Sequence, residues 1–269
     1  LTATAAPGGI TGNPVTFTAT GVAGSAGRLA MFTQPPGTAQ SGVGISPPPV
    51  VQLQDNLGNP VATSGVGITA SIASGPGGTL SGGTIALTDV NGRATFGPSN
   101  LIITGPTGSY TLQFNGASLT GVTSSAISLT AGSAARVFVT AQPATAQSGV
   151  AFTTAPAVQV QDAAGNPVAG AGRSVIVSLL SGSGTLTGTL TQSTNASGVA
   201  TFPGLVLTGT IGPRTLLFSS ASIASDTTSA ITLTPGTATA LEYVQQPTTV
   251  VAGQVISPSP TVRVRDGAG

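Results

Sequence analysis

The chain has 269 residues, of which 39% are hydrophobic and 5% charged, and its net charge is +1. Ordinary domains carry about 25% charge. The apolar content excludes a disordered chain, and seven scattered Arg set against six acids exclude a basic stripe for nucleic acid. Cys, His, Trp and Lys are all absent, which excludes disulfides, thiolate or imidazole metal sites and Lys–Asn cross-links.

Residues 1–27 match only the tail of a unit that is written out in full from Arg28 onward. That unit opens with the strand-like "LAMFT" and continues to "VVQLQ", where Val51 and Leu53 alternate with Gln52 and Gln54. Alternation of period two is the mark of a half-buried strand. It predicts Val51 and Leu53 inward and the two Gln on the solvent side. The turn Asp55-Asn56-Leu57-Gly58-Asn59-Pro60 follows. Asp accepts backbone hydrogen bonds two residues on, Gly58 supplies positive φ, and Pro60 holds Asn59 extended. Then come "VGITASI", "TIALT", the turn Asp89-Val90-Asn91-Gly92, "RATF", "NLIIT", "SYTLQF" and "SAISLT". Tyr110, Leu112 and Phe114 share one face, and Ile127 and Leu129 point inward. Helical periodicity is absent, and the Gly, Pro and Thr content opposes a helix. About seven short strands in roughly 105 residues fit an Ig-like sandwich of two sheets, with Phe96, Phe114, Phe202 and Phe218 in the cores.

The unit then repeats. Its Asp recurs at Asp55, Asp162 and Asp266, 107 and 104 residues apart. "TAQSGV" occurs at Thr38 and Thr145, "GRATF" is answered by "GVATF", and "SAISLTAG" by "SAITLTPG". A period this long is that of an independent β domain rather than a solenoid coil. The boundaries read as follows: 1–27, C-terminal strands of a preceding partial repeat; 28–135 and 136–239, complete Ig-like repeats; 240–269, N-terminal strands of a following partial repeat. The expected fold class is all-β, with tandem Ig-like β-sandwiches in an elongated rod. Only "AGSAA" separates the two full repeats, and so short a linker favours a semi-rigid arrangement. The start at Leu1, without a charged leader, reads as a piece of something longer. No apolar run is long enough to span a membrane.

The order "VQVQDAAGNPVAG", "GTL", "SGVATF", "TLLF", matched by "VQLQDNLGNPV", "GGTL", "TDVNGRATF", "GSYTLQF", resembles the bacterial Ig-like repeats of invasin- and intimin-type surface adhesins. The resemblance covers essentially the whole chain. It implies a stalk built of tandem copies, with recognition left to a distal tip. It also implies a tyrosine corner at Tyr110, a position held by Arg214 in the second repeat.

General base chemistry would fall to Asp55, Asp89, Asp162, Asp226, Glu242 or Asp266. Three of these are copies of one turn position, so the reading is not an enzyme: no catalytic, cofactor-binding or metal-binding residue is assigned and no cofactor is expected. Asp55 with Asn59, Asp162 with Asn166 and Asp89 with Asn91 could offer oxygens to calcium. One carboxylate per turn is meagre for that ion, and an Asx turn is the reading adopted. Tyr243 could stack a sugar or belong to a core. Arg28 and Arg136 recur at the junctions and suggest a hydrogen bond across each joint. "NAS" at Asn195 matches a glycosylation sequon.

The functional expectation is a non-enzymatic structural segment of a long extracellular or cell-surface stalk or filament. Its near-neutral surface tolerates self-association. The rival expectation is an adhesin or fibre region that recognises a host glycan or protein through its loops. Candidate partners are further copies of the chain or other surface components, with attached glycans as decoration and no nucleic acid.

Overall fold

In the computed structural model of the chain, residues 2–3, 15–16, 18–97 and 100–268 are described. Every helix or strand element among them is a β-strand. By their contacts the residues form two compact units. One comprises Leu1–Ala39, Val43–Thr104 and Gly108–Leu129; the other comprises Gln40–Gly42, Gly105–Thr107 and Thr130–Gly269. About half of residues 1–27, where C-terminal strands of a preceding repeat were expected, lies outside the described residues. What is described there is a short pairing of Thr2–Ala3 with Val15–Thr16 and an irregular run from residue 18.

In the first unit, Val50–Gln54 pairs antiparallel with both Arg28–Thr33 and Arg93–Thr95. A second sheet has the order Thr38–Gln40, Ile127–Thr130, Gly108–Gly116, Gly67–Ser74, Ile85–Leu87, with Val122–Thr123 also on Gly108–Gly116. The two sheets share one core. Leu29, Val51, Leu53 and Phe96 on one side meet Ile68, Leu112, Phe114 and Ile127 on the other, all at most 5% exposed. The rings of Phe96 and Phe114 lie 5.0 Å apart at 53°, a tilted contact that aromatic quadrupoles favour. This is the sandwich that the alternation predicts. Buried Val, Leu and Phe side chains contribute about 1.5–3 kcal/mol each.

The second unit repeats the plan with its own core. Ala157–Gln161 pairs with Arg136–Ala141 and Val199–Thr201. The other sheet runs Thr145–Gln147, Ile231–Thr234, Gly212–Ser219, Ser174–Ser181, Thr191–Ser193. Val158, Val160 and Phe202 pack with Val177, Leu216, Phe218 and Ile231, and Phe202 meets Phe218 at 5.2 Å.

Three short strands of the first unit go beyond the sequence reading: Thr38–Gln40, Thr79–Gly82 and Val122–Thr123. They are too short to show alternation. The "TLSG" of Thr79–Gly82 reads locally as a Gly-rich loop, and its ladder with Leu101–Thr104 makes it a strand.

One expected face is corrected. Gln52 does not project into solvent but is 5% exposed. Its Nε2 donates to the carbonyls of Leu53, Asn91 and Gly92, and its Oε1 accepts from Arg93 Nε. Gln159 holds the matching loop through Val160, Ser197 and Gly198. The outer face of this strand is covered by the hairpin that follows it in space.

In the last segment, Ala238–Gln245 pairs with Thr261–Asp266. Leu241, Val262 and Val264 stand where Leu29, Val51 and Leu53 stand in the first unit. They are 72%, 57% and 64% exposed, whereas the first-unit residues are buried. Tyr243 is likewise 64% exposed.

Candidate functional site

The phrase written three times builds one device. Asp55 Oδ1 accepts the backbone N–H groups of Leu57 and Asn59. Its Oδ2 accepts Asn59 Nδ2 and the N–H of Gly24, 31 residues upstream. Asp162 repeats this atom for atom, with Oδ1 on Ala164 and Asn166, and Oδ2 on Asn166 Nδ2 and Gly132 N–H at 2.7 Å. Asp266 holds Gly236 N–H through Oδ2 and Ala268 N–H through Oδ1. The carboxylate closes its own Asx turn and ties down the segment that leads into its own repeat. Hydrogen bonds to an ionised acceptor are about twice as strong as neutral ones.

Each oxygen of Asp55 and Asp162 thus faces two N–H donors, an arrangement that presents hydrogens rather than lone pairs to the surroundings. This geometry is the Asx turn of the sequence reading, extended by a long-range partner that local spacing could not reveal. Asn166 adds further bonds within the second unit: Nδ2 donates to Gly105 O, and Oδ1 accepts Thr107 N–H.

The same bonds set the titration. The Asn59 amide and then the Gly24 N–H stabilise the ionised Asp55, lowering its pKa from 3.8 to about 2. Burial pushes Asp162 upward. The bonds from Asn166, Gly132 and Ala164 outweigh it, and its pKa also lies below the ordinary value. Asp89 is lowered chiefly by the Arg93 N–H. A folded-state pKa below the unfolded one gives stability that is complete above the unfolded pKa and lost as protons bind the folded carboxylate. The midpoint of urea unfolding is therefore expected to hold steady above about pH 5 and to fall between about pH 4 and pH 2. A pH series of denaturation curves checks this.

The remaining expected residues fall as follows. Arg28 Nε donates to Gln54 Oε1 and Arg136 Nε to Gln161 Oε1, at 3.2 and 3.0 Å. Both bonds run between paired strands of the arginine's own repeat, not across a joint as expected. Asp226 accepts the N–H groups of Val139 and Thr227, and Glu242 forms an ion pair with Arg265. Among the described residues no three acidic side chains gather into a metal-binding group. A cleft of about 530 Å³ in the second unit is walled by Val160, Val168, Gly170, Arg173 and Ser220, without a carboxylate.

Tyr110 departs from the implied corner. Its hydroxyl donates to Gly77 O at 2.5 Å, 33 residues upstream, and so props a distant loop. Burial raises its pKa. Arg214, 4% exposed, does the same work in the second unit: Nε donates to Ser183 O, Nη1 to Pro213 O and Nη2 to Thr210 O. Glycine is required beside each. A Cβ on Gly75 would stand 2.4 Å from the Tyr110 ring, and one on Gly182 would stand 2.3 Å from Arg214 Cδ. Because the first unit fills this place with Tyr, and a buried charge without a carboxylate is costly, Arg214→Tyr is expected to raise stability by about 1 kcal/mol. The shift of the urea midpoint measures it.

With this geometry in view, comparison with known proteins adds the following. A family model described as SMCHD1 Ig-like domain 6 matches residues 16–131. Among solved structures the chain is similar to FdeC, an Escherichia coli adhesin, at 17% identity over 79% of this chain and 65% of that one, with a TM-score of 0.39. It is similar to the adhesin InvE of Yersinia pseudotuberculosis at 18% identity, over 81% and 67% of the two chains, with a TM-score of 0.31. InvD of the same organism is 18% identical over 90% and 71%, with a TM-score of 0.34. The chain spans 65% of the FdeC chain, less than two thirds of its length. No curated protein matches significantly. The class that the paired sheets define is an all-β protein of Ig-like β-sandwich units.

Proposed function

We propose that the chain is a non-enzymatic structural segment of a long extracellular stalk or filament at a cell surface, built from Ig-like repeats bounded near 28–135 and 136–239. One observation carries this reading: the carboxylate that recurs in the three copies of the phrase is engaged in each copy by a backbone N–H of the segment that leads into its repeat. What the chain repeats is a fastening, not a reactive centre.

The sparsely charged, near-neutral surface supports association between copies. In the first unit the edge strand Ile85–Leu87 uses alternate backbone groups for pairing, through Thr84 O with Ala70 N–H and Thr88 N–H with Val66 O. Those of Ile85 and Leu87 therefore face away from the sheet. Both side chains are 66% exposed, and the second unit has Thr191 and Ser193 in the corresponding strand. An apolar edge left open is a template for pairing.

Electron microscopy of the native assembly tests the reading. Rods or filaments with a regular repeat are expected, and dispersed single particles would overturn it. Sedimentation of the chain carrying Ile85→Thr with Leu87→Ser is expected to show weaker concentration-dependent association than the unchanged chain.

A further inference from the structure

We propose that Asn195 carries an N-linked glycan, an inference that rests on the extracellular reading in that the chain meets a glycosyl transferase only on an export route. Of the eight Asn in the sequence, Asn195 alone is followed by Ser or Thr two residues on, in Asn195-Ala196-Ser197. The structure sets this tripeptide at the exposed tip of the hairpin that leads into Val199–Thr201.

There the amide is oriented. Asn195 Oδ1 accepts the N–H groups of Ser197 and Val199, both at 3.0 Å. The backbone closes beneath it, with Asn195 N–H on Val199 O and Gly198 N–H on Asn195 O. With the carbonyl oxygen fixed toward the turn, the amide nitrogen projects the other way, into solvent. Ser197 is also exposed. Its N–H serves the turn and its carbonyl accepts Gln159 Nε2, which leaves its hydroxyl accessible to an enzyme reading the tripeptide.

The first unit supplies a control within the same molecule. Asp89 occupies the same place, and its Oδ1 accepts the N–H groups of Asn91 and Arg93, both at 2.9 Å. The turn therefore needs only the oxygen. Asn at this position keeps the fold and adds a nucleophilic amide nitrogen that Asp lacks. In the transfer, the Asn195 Nδ2–anomeric carbon bond forms as the bond from that carbon to the pyrophosphate of a lipid-linked sugar donor breaks. One amide proton leaves to a base of the transferase. A sugar at this tip would hydrate a chain with few charges of its own.

Glycopeptide mass spectrometry on the protein from its native cell surface tests the proposal. The peptide containing Asn195 is expected to carry added sugar mass, and its recovery wholly unmodified would overturn the proposal. Ser197→Ala is expected to abolish the modification with the melting temperature unchanged, since the turn uses only the Ser197 backbone. The double change Asp89→Asn, Asn91→Ser is expected to add a second glycosylated site in the first unit; an unmodified second turn would count against turn geometry as the determinant. Surface proteolysis of intact cells separates this from the broader reading: a chain that is shaved from the surface but bears no sugar sinks the glycan and leaves the stalk.

Discussion

Phe114→Ala is expected to destabilise the first unit by about 3–5 kcal/mol, the range for removing a buried aromatic side chain. Phe114 is fully buried. Its ring is tilted against Phe96 at 5.0 Å, on the strand that pairs with Gly67–Ser74. The truncation leaves a cavity between two sheets whose backbones are fixed by ladders on both sides, so the walls have little room to collapse. Total stability of a domain is only about 5–15 kcal/mol, and a loss of this size brings the first unit close to unfolding at room temperature. Phe218, paired with Phe202, holds the corresponding place in the other core. The two clusters share no residue. Phe114→Ala is therefore expected to move one unfolding transition and Phe218→Ala the other. Urea unfolding followed by residue-resolved hydrogen exchange checks both, and a Phe114 variant that loosens Val158 and Phe202 as much as Val51 and Phe96 would contradict separate cores.

These cores were readable because strand alternation is a local signal. Val51 and Leu53 announce their face to anyone who reads Val50–Gln54, and the Phe pairs follow from two such faces meeting. Gln52 was misread for the same reason: period two says which side a residue takes, not what covers that side. The cover is the Asn91–Gly92 loop, about 40 residues away in sequence. The aspartate turn was half readable. Its bonds to Leu57 and Asn59 lie within four residues, whereas the bond to Gly24 depends on how the preceding segment returns to the strand. The exchange of Tyr110 for Arg214 looked like a broken motif. Its logic needs Gly75 and Gly182, whose missing side chains make room for either residue. The resemblance of strand order agreed with the fold class read from the strands themselves and carried no information on these hydrogen bonds.

Asp162→Ala is expected to cost the second unit about 3 kcal/mol, because hydrogen bonds to a charged group are worth about 1.5–3 kcal/mol and orphaned buried donors add to the loss. Asp162 is 2% exposed. Its removal strands the N–H groups of Gly132, Ala164 and Asn166 together with Asn166 Nδ2, all held at 2.7–2.9 Å. Asp162→Asn is expected to recover only part of the loss. The amide keeps one acceptor oxygen for the Asx turn, and its NH2 group faces the Gly132 and Asn166 donors. Acid titration separates a lost carboxylate from a general loosening. The Asp162 pKa is lowered in the folded state, so its contribution is present above about pH 4 and disappears as pH falls. Both variants are therefore expected to show a shallower fall in second-unit stability between about pH 4 and pH 2 than the unchanged chain, with the first unit, held by Asp55, keeping its full acid response. Equal acid slopes in variant and parent would show that Asp162 is not the fastening the structure makes it.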